Sequence, residues 1–208
     1  LCHAGVPFLA GGYVGVDVFF VISGFIITRR IYPEITDGSF SIPGFIARRI
    51  RRLMPAAAVC LALTSIAAIL LLSPEALVEF GQSLSYTGLL AANVHFYETS
   101  GYFAAPSAQK PLLHIWSLSI EDQFYLIWPL ALLGLSCLVA SPRIVAGLLV
   151  LAAFASLGLS EARLAHDPDY SFFWLLPRAF ELLTGAALAV ASAAGVVSVA
   201  LADRKPSG

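Results

Sequence analysis

Three stretches of this chain run 17 or 18 residues without a charge: Pro55 to Leu72, Phe124 to Ser141 and Ile144 to Ser160. A bilayer-spanning helix needs about 20 mostly apolar residues, within a range of about 17–25. Two further apolar stretches carry charge. Gly12 to Thr28 contains Asp17, and Phe172 to Ala193 contains Arg178 and Glu181. Leu1 to Leu9 reads as the stub of another span. These runs are too long for barrel strands, and no alternating pattern competes with them. The expected fold is an all-α integral membrane protein, a polytopic transmembrane helix bundle.

Composition agrees. Apolar residues make up 59% and charged residues 12%, where a soluble domain carries about 25% charge. With 12 basic and 13 acidic side chains the net charge is −1, so no global field attracts nucleic acid. The expected partners are membrane lipids rather than nucleic acid. Of the three cysteines, Cys60 and Cys137 lie in apolar runs and read as small hydrophobes. The chain starts at Leu1 and its one methionine is Met54. It is expected to be a piece of a larger bundle, with the first helix truncated and further helices after Gly208.

Arginine and lysine set orientation. Six arginines stand between Arg29 and Arg52 against Glu34 and Asp37, so the Arg29–Arg52 loop is expected to be cytoplasmic. The acidic segment from Ser160 to Tyr170 then falls outside. Pro55 to Leu72 exits and Phe124 to Ser141 enters, which leaves Leu84 to Tyr97 between them. At 14 residues it is short for a span and is expected to be re-entrant or interfacial, although a full crossing would invert the remaining topology. Ser73-Pro74-Glu75 predicts a helix start.

Charges in or beside spans are costly and mark functional candidates. Arg48, Arg49, Arg51 and Arg52 precede a span. They read either as an anchor to anionic headgroups or as an anion site, since guanidinium forks fit phosphate oxygens. Asp17 needs a partner, with His3 a candidate, and serves either structural pairing or catalysis. His114, Trp116, Glu121 and Asp122 cluster at the mouth of a span. Ser119 and Asp122 have capping-box spacing, which predicts a helix start there. His114 and Glu121 are seven residues apart, too far for ordinary chelation, so no metal is expected. Arg178 and Glu181 are three apart and can pair along one face, while Gly185, Ala189 and Ala193 form a stripe for close helix packing. His3 reads as packing or as a general base.

These strings, in this succession, resemble the acyltransferase family 3 integral membrane enzymes. The pieces are His3-Ala-Gly-Val-Pro, Gly15-Val-Asp-Val-Phe-Phe-Val-Ile-Ser-Gly-Phe, Phe45-Ile-Ala-Arg-Arg-Ile-Arg-Arg-Leu-Met-Pro, Asn93-Val-His-Phe-Tyr, Pro111-Leu-Leu-His-Ile-Trp-Ser-Leu-Ser-Ile-Glu-Asp-Gln-Phe-Tyr and Pro177-Arg-Ala-Phe-Glu-Leu-Leu-Thr-Gly. The resemblance covers nearly the whole chain, read as residues 1–208 of a partial transmembrane acyltransferase domain. It implies O-acetylation: transfer of an acyl group, most often acetyl, from cytoplasmic acyl-CoA to a hydroxyl of a cell-envelope glycan or glycolipid. Acceptors in the family are lipopolysaccharide O-antigen, exopolysaccharide and peptidoglycan. It also implies the inner (plasma) membrane, acetyl-CoA as co-substrate, and a fused or partner soluble domain outside this piece.

By the same resemblance His3 matches the histidine of an arginine–histidine pair whose arginine lies before Leu1, and Arg48 to Arg52 match arginines that hold CoA. Glu121-Asp122 departs from the family's usual Glu-Glu. The expected catalytic set is His3, Asp17, Arg178 and Glu181. The expected acceptor-binding set is His114, Trp116, Glu121 and Asp122. In the mechanism this suggests, the CoA phosphates dock on the arginines and the pantetheine arm reaches inward to His3. The acyl group then passes directly to the acceptor or through an acylated His3. The rival reading is a transporter or channel using the buried charges as a solute or proton path, although no internal repeat supports it.

Overall fold

The computed structural model describes residues 14–100 and 110–197. Among these the chain forms only helices: α1 Val14–Thr36, α2 Ile42–Leu71, α3 Pro74–Gly88, α4 Ala92–Glu98, α5 Ile115–Leu138, α6 Pro142–Leu164, α7 Pro168–Phe173 and α8 Leu175–Ala193. Three segments are long and apolar enough to cross a membrane: Ile42–Leu71, Pro142–Leu164 and Pro168–Ala193. The expected all-α membrane bundle is what forms.

α8 lies between α1 and α6. Two glycines set how closely α1 and α8 approach. A Cβ at Gly24 would strike the Leu182 carbonyl, and one at Gly185 would strike the Val21 carbonyl. Both obstacles are backbone, so glycine is the residue that fits, as expected of a small-residue helix interface. Gly185 and Ala189 of the predicted stripe are buried, while Ala193 is exposed. α6 runs antiparallel to α8, with Ser156 Oγ donating to the Leu176 carbonyl.

α5 runs parallel to α1, in matched rungs. The Phe20 and Trp116 rings meet edge to face at 6.3 Å. Ser23 meets Glu121 and Tyr125, and Trp128 Nε1 donates to Thr28 Oγ1 at 2.8 Å. α2 is barely covered: Phe45 and Ala68 are its buried residues, and its apolar side chains face outward.

Several boundaries differ from the sequence reading. The Arg29–Arg52 loop is mostly helical, because α1 continues through Arg29 and Arg30 to Thr36 and α2 starts at Ile42. Ser41 caps α2 by accepting from Gly44 N at 3.3 Å, and Gly38 turns the chain at φ +72°. α5 starts at Ile115 rather than at Ser119 or Phe124. The Ser119–Asp122 spacing is therefore no cap; Ser119 lies in the helix interior and its Oγ accepts from Ala92 N of α4. The Ser73 cap forms as predicted, accepting from Ala76 N.

Leu84 to Tyr97 is no single helix. α3 and α4 are separated by a break at which Leu90 takes φ +57°. That left-handed turn is held from α5, where Gln123 Nε2 donates to the Leu90 carbonyl and to Asn93 Oδ1, both at 2.8 Å. Asn93 Nδ2 in turn donates to the Phe173 carbonyl at 3.0 Å. Because α5 is parallel to α1 and α2 runs back along α1, α5 begins at the end of the bundle where α2 finished. Arg29, Arg30 and Arg143 gather at one end of the bundle, and Glu161, Asp167 and Asp169 at the other.

Candidate functional site

The arginine row sits on the wall of a cavity of about 630 Å³ between α1, α2 and α5. Arg48, Arg49, Arg51 and Arg52 all line it, opposite Ser23 and Ile26 of α1 and Glu121 and Tyr125 of α5. Helical geometry explains the row: residues three and four apart share a face, and α2 is already helical by Ile42. A second cavity, about 650 Å³ between α6 and α8, has Arg143 as its one charged lining residue. No carboxylate, histidine or cysteine lines it.

The four arginines are not equivalent. Arg48 pairs with Glu34 at 3.1 Å. Arg49 pairs with Asp122 at 3.0 Å and lies over the Tyr125 ring, 3.2 Å from its centroid. Arg51 Nε donates to the Ala47 carbonyl. Among the described residues, Arg51 and Arg52 make no ion pair.

Glu121 is 6% exposed. Its Oε1 accepts from Ser23 Oγ and from Tyr125 OH, and the two hydroxyls also touch. No cation pairs with it among the described residues, whose nearest arginine, Arg49, is committed to Asp122. A buried carboxylate held by two hydroxyls on a cationic cavity wall is the most unusual electrostatic feature of this end of the bundle.

A second cluster lies farther along α1, toward its N-terminus. Arg178 Nη1 donates to Asp17 Oδ1 at 3.0 Å and to Glu181 Oε1 at 2.6 Å. The Arg178 side chain is 13% exposed and that of Glu181 2%, against 37% for Asp17. The guanidinium stands 5.6 Å from the Trp116 ring and 5.2 Å from the Phe172 ring. Its Nε and Glu181 Oε2 have no partner among the described residues. So the partner of Asp17 among the described residues is Arg178, while His3 lies outside them.

The structure thus joins three of the four expected catalytic residues and divides the expected acceptor set. Trp116 packs beside Arg178. Glu121 and Asp122 belong to the arginine cavity. His114 precedes α5 with its side chain exposed. None of Asp17, Arg178 and Glu181 lines the arginine cavity; on α1 the fully buried Phe20, its ring edge to face with Trp116, comes between Asp17 and Ser23 in the chain. The sequence reading missed Ser23 and Tyr125. Tyr125 was legible, because it stands four residues after Glu121 and so shares its face. Ser23 carried no local signal, since its partners are about 100 residues away in the chain.

Away from the spans, His95 is buried with its ring 5.0 Å from that of Tyr86 and its Nε2 without a partner among the described residues. Burial pushes its pKa down, and the positive charge of Lys110 adds to this against the carboxylates of Glu79 and Glu98.

A family model described as an acyltransferase domain matches residues 3–194. The chain is 32% identical to a putative peptidoglycan O-acetyltransferase, YrhL, of Bacillus subtilis, over 90% of this chain and 30% of that protein. It is 35% identical to the peptidoglycan O-acetyltransferase OatA of Listeria monocytogenes, again over 90% and 30% of the two chains. An uncharacterized protein of Haemophilus influenzae is 40% identical over 56% of this chain and 48% of its own. The chain thus spans 30% of the length of the two named relatives. No solved structure matches it. With a helical bundle of apolar spans, the arginine row and a family match across almost its whole length, this chain belongs to the acyltransferase 3 family.

Proposed function

We propose that these residues form part of the transmembrane domain of an O-acetyltransferase of the inner (plasma) membrane. It takes an acetyl group from cytoplasmic acetyl-CoA and delivers it to a hydroxyl of a cell-envelope glycan. The relatives named as peptidoglycan O-acetyltransferases support that acceptor class. The observation that carries the reading is the cavity walled by Arg30 and the four arginines of α2 at the basic end of the bundle, the end that the positive-inside tendency assigns to the cytoplasm. CoA brings a diphosphate and a further phosphate, which suit a row of guanidinium forks.

The arginines divide the work. Arg48 and Arg49 are already matched by Glu34 and Asp122, so they shape the cavity and part from those carboxylates only when a stronger anion arrives. Arg51 and Arg52 take the phosphates first. In the second cluster, Arg178 is aligned by Asp17 and Glu181 and supplies a fixed donor for an oxyanion. His3 is the base for the acceptor hydroxyl. Trp116 and His114 border that side, whereas Glu121 and Asp122 serve the donor side.

The test uses the full-length protein in membranes with labelled acetyl-CoA and a glycan acceptor. A charge-assisted hydrogen bond is worth about 1.5–3 kcal/mol, and about 1.4 kcal/mol is tenfold. Arg51→Gln and Arg52→Gln should therefore each raise KM for acetyl-CoA about tenfold or more, with a smaller effect from Arg48→Gln. Unchanged KM in all three refutes the donor site. Solute flux with no acceptor-dependent CoA release would favour a transporter.

A further inference from the structure

We propose that Ser23 is a nucleophile that carries the acyl group as a serine ester between donor and acceptor. This rests on the acetyl-CoA reading above. Three observations lead to it. The Ser23 hydroxyl lines the arginine cavity and donates to Glu121, a buried carboxylate that no described cation neutralises. A hydroxyl within hydrogen-bond reach of a base is the arrangement of an activated nucleophile. Arg49 stands across the same cavity, held against Tyr125, where a cation can face developing negative charge. Finally, none of Asp17, Arg178 and Glu181 lines this cavity, whereas Ser23 and Glu121 both do, so a nucleophile and a base stand together on the wall where the donor docks.

The steps balance. Ser23 Oγ attacks the thioester carbonyl carbon while its proton moves to Glu121. The tetrahedral oxyanion collapses, the C–S bond breaks, and CoA leaves as the thiol after taking the proton from Glu121. Ser23 then bears the ester and Glu121 is again a carboxylate. In the second half, an acceptor hydroxyl gives its proton to a base and attacks the ester carbonyl. The Ser23 oxygen leaves and recovers a proton, which regenerates the enzyme.

The hydrogen bonds alone would be satisfied by a purely structural tie between α1 and α5, and the variants separate the two roles. Glu121→Gln keeps an acceptor oxygen for Ser23 and Tyr125 but removes the base. Ser23→Cys keeps a nucleophile, and Ser23→Ala removes it. Full-length protein is mixed with labelled acetyl-CoA and no acceptor, and CoA release and the mass of the Ser23 peptide are followed. Wild type should release a burst approaching one CoA per protein and show an acetyl mass on that peptide. Ser23→Ala should show neither, Ser23→Cys should retain the label, and Glu121→Gln should slow the burst about a hundredfold or more. An undiminished burst in Ser23→Ala, or a full-rate burst in Glu121→Gln, overturns the proposal. So does wild-type turnover with acceptor and no label on the peptide, which leaves the donor reading standing. Wild type that releases no CoA even with acceptor defeats the donor reading itself, and the relay with it.

Discussion

Replacing Arg178 with methionine removes the one cation between two carboxylates and keeps most of the side-chain volume. Arg178 donates to Asp17 and to Glu181 at 3.0 and 2.6 Å. The two carboxylates do not lose equally. Asp17 is more than a third exposed, and water and screening take up most of its loss. Glu181 is almost wholly buried, and its Oε2 already lacks a partner. Breaking a buried pair by removing one member costs about 3–5 kcal/mol. For a chain of this size about 1 kcal/mol shifts Tm by roughly 2–4 °C, so Arg178→Met should lower Tm by about 6–20 °C. Exchanging Arg178 and Glu181 together leaves only the more exposed Asp17 without its cation, so Arg178→Met with Glu181→Met should recover most of that loss. Thermal melting of the full-length protein in detergent, read by aggregation-resistant fraction, compares wild type, both single variants and the double. If Arg178→Met melts with wild type, the triad is no buried pair. If the double variant melts no higher than Arg178→Met, the loss comes from packing rather than from a stranded carboxylate.

The close contact of α1 and α8 gives a second prediction. Gly24→Val drives a side chain into the Leu182 carbonyl and should cost about 3 kcal/mol or more in the same melting assay; Gly15→Ala, which meets nothing within 4 Å among the described residues, should be neutral or gain up to about 1 kcal/mol from helix propensity. The buried His95 gives a pH prediction. Its pKa in the folded protein is held below the ordinary 6.5, so the unfolded chain binds more protons in the window below 6.5 and stability falls as pH drops through it. Tm should decline on acidification from pH 7, and His95→Phe should flatten that decline. An unchanged slope would mean that His95 does not titrate there.

Much of the fold was legible because bilayer-spanning helices write their length directly into composition. The run at Ile144 became α6 with small shifts, and the run at Pro55 became the second half of α2, which starts at Ile42. The Ser73 cap and the Arg178–Glu181 pair were readable for a related reason: both are contacts within about one helical turn, where spacing alone fixes which groups meet. The misplaced boundaries share a cause. Arg29, Arg30 and the polar stretch from Ile115 to Gln123 read as loop because charge was taken to end a helix, yet a helix end is set by capping and by what its polar residues meet. Asp122 is stable inside α5 because Arg49 of α2 answers it, and Ser119 because Ala92 of α4 does. Those partners are 73 and 27 residues distant, and no local pattern names them. The acceptor set was divided for the same reason. His114, Trp116, Glu121 and Asp122 are close in the chain, but the turns of α5 aim Trp116 at α8 and Glu121 and Asp122 at α1 and α2.

The three polar rungs along α1 separate structural need from chemical use. Thr28 meets Trp128, Ser23 meets Glu121 and Tyr125, and Asp17 meets Arg178. They are spaced by five and six residues, about 8–9 Å per step along a helix. A neutral hydrogen bond between helices in a membrane is worth about 0.6 kcal/mol and at most about 1.7. The Thr28–Trp128 rung shows that a neutral pair can register α1 against α5. Stapling alone therefore gives no reason to bury a carboxylate at the middle rung or three charges at the outer one, since each ion adds a desolvation cost that a neutral pair avoids. The charge rises along α1 from the rung farthest from the acidic end of the bundle to the one nearest it. Packing does not require that gradient, whereas an acyl group moving from a phosphate-binding cavity toward a glycan hydroxyl would use it, first for a base beside a nucleophile and then for a fixed cation beside an oxyanion. A neutral triple replacement of Asp17, Arg178 and Glu181 that kept or raised Tm yet abolished transfer, with the CoA burst intact, would fit this division of labour. Loss of the burst in the same variant would contradict it, because the outer rung would then be acting on the donor half of the reaction.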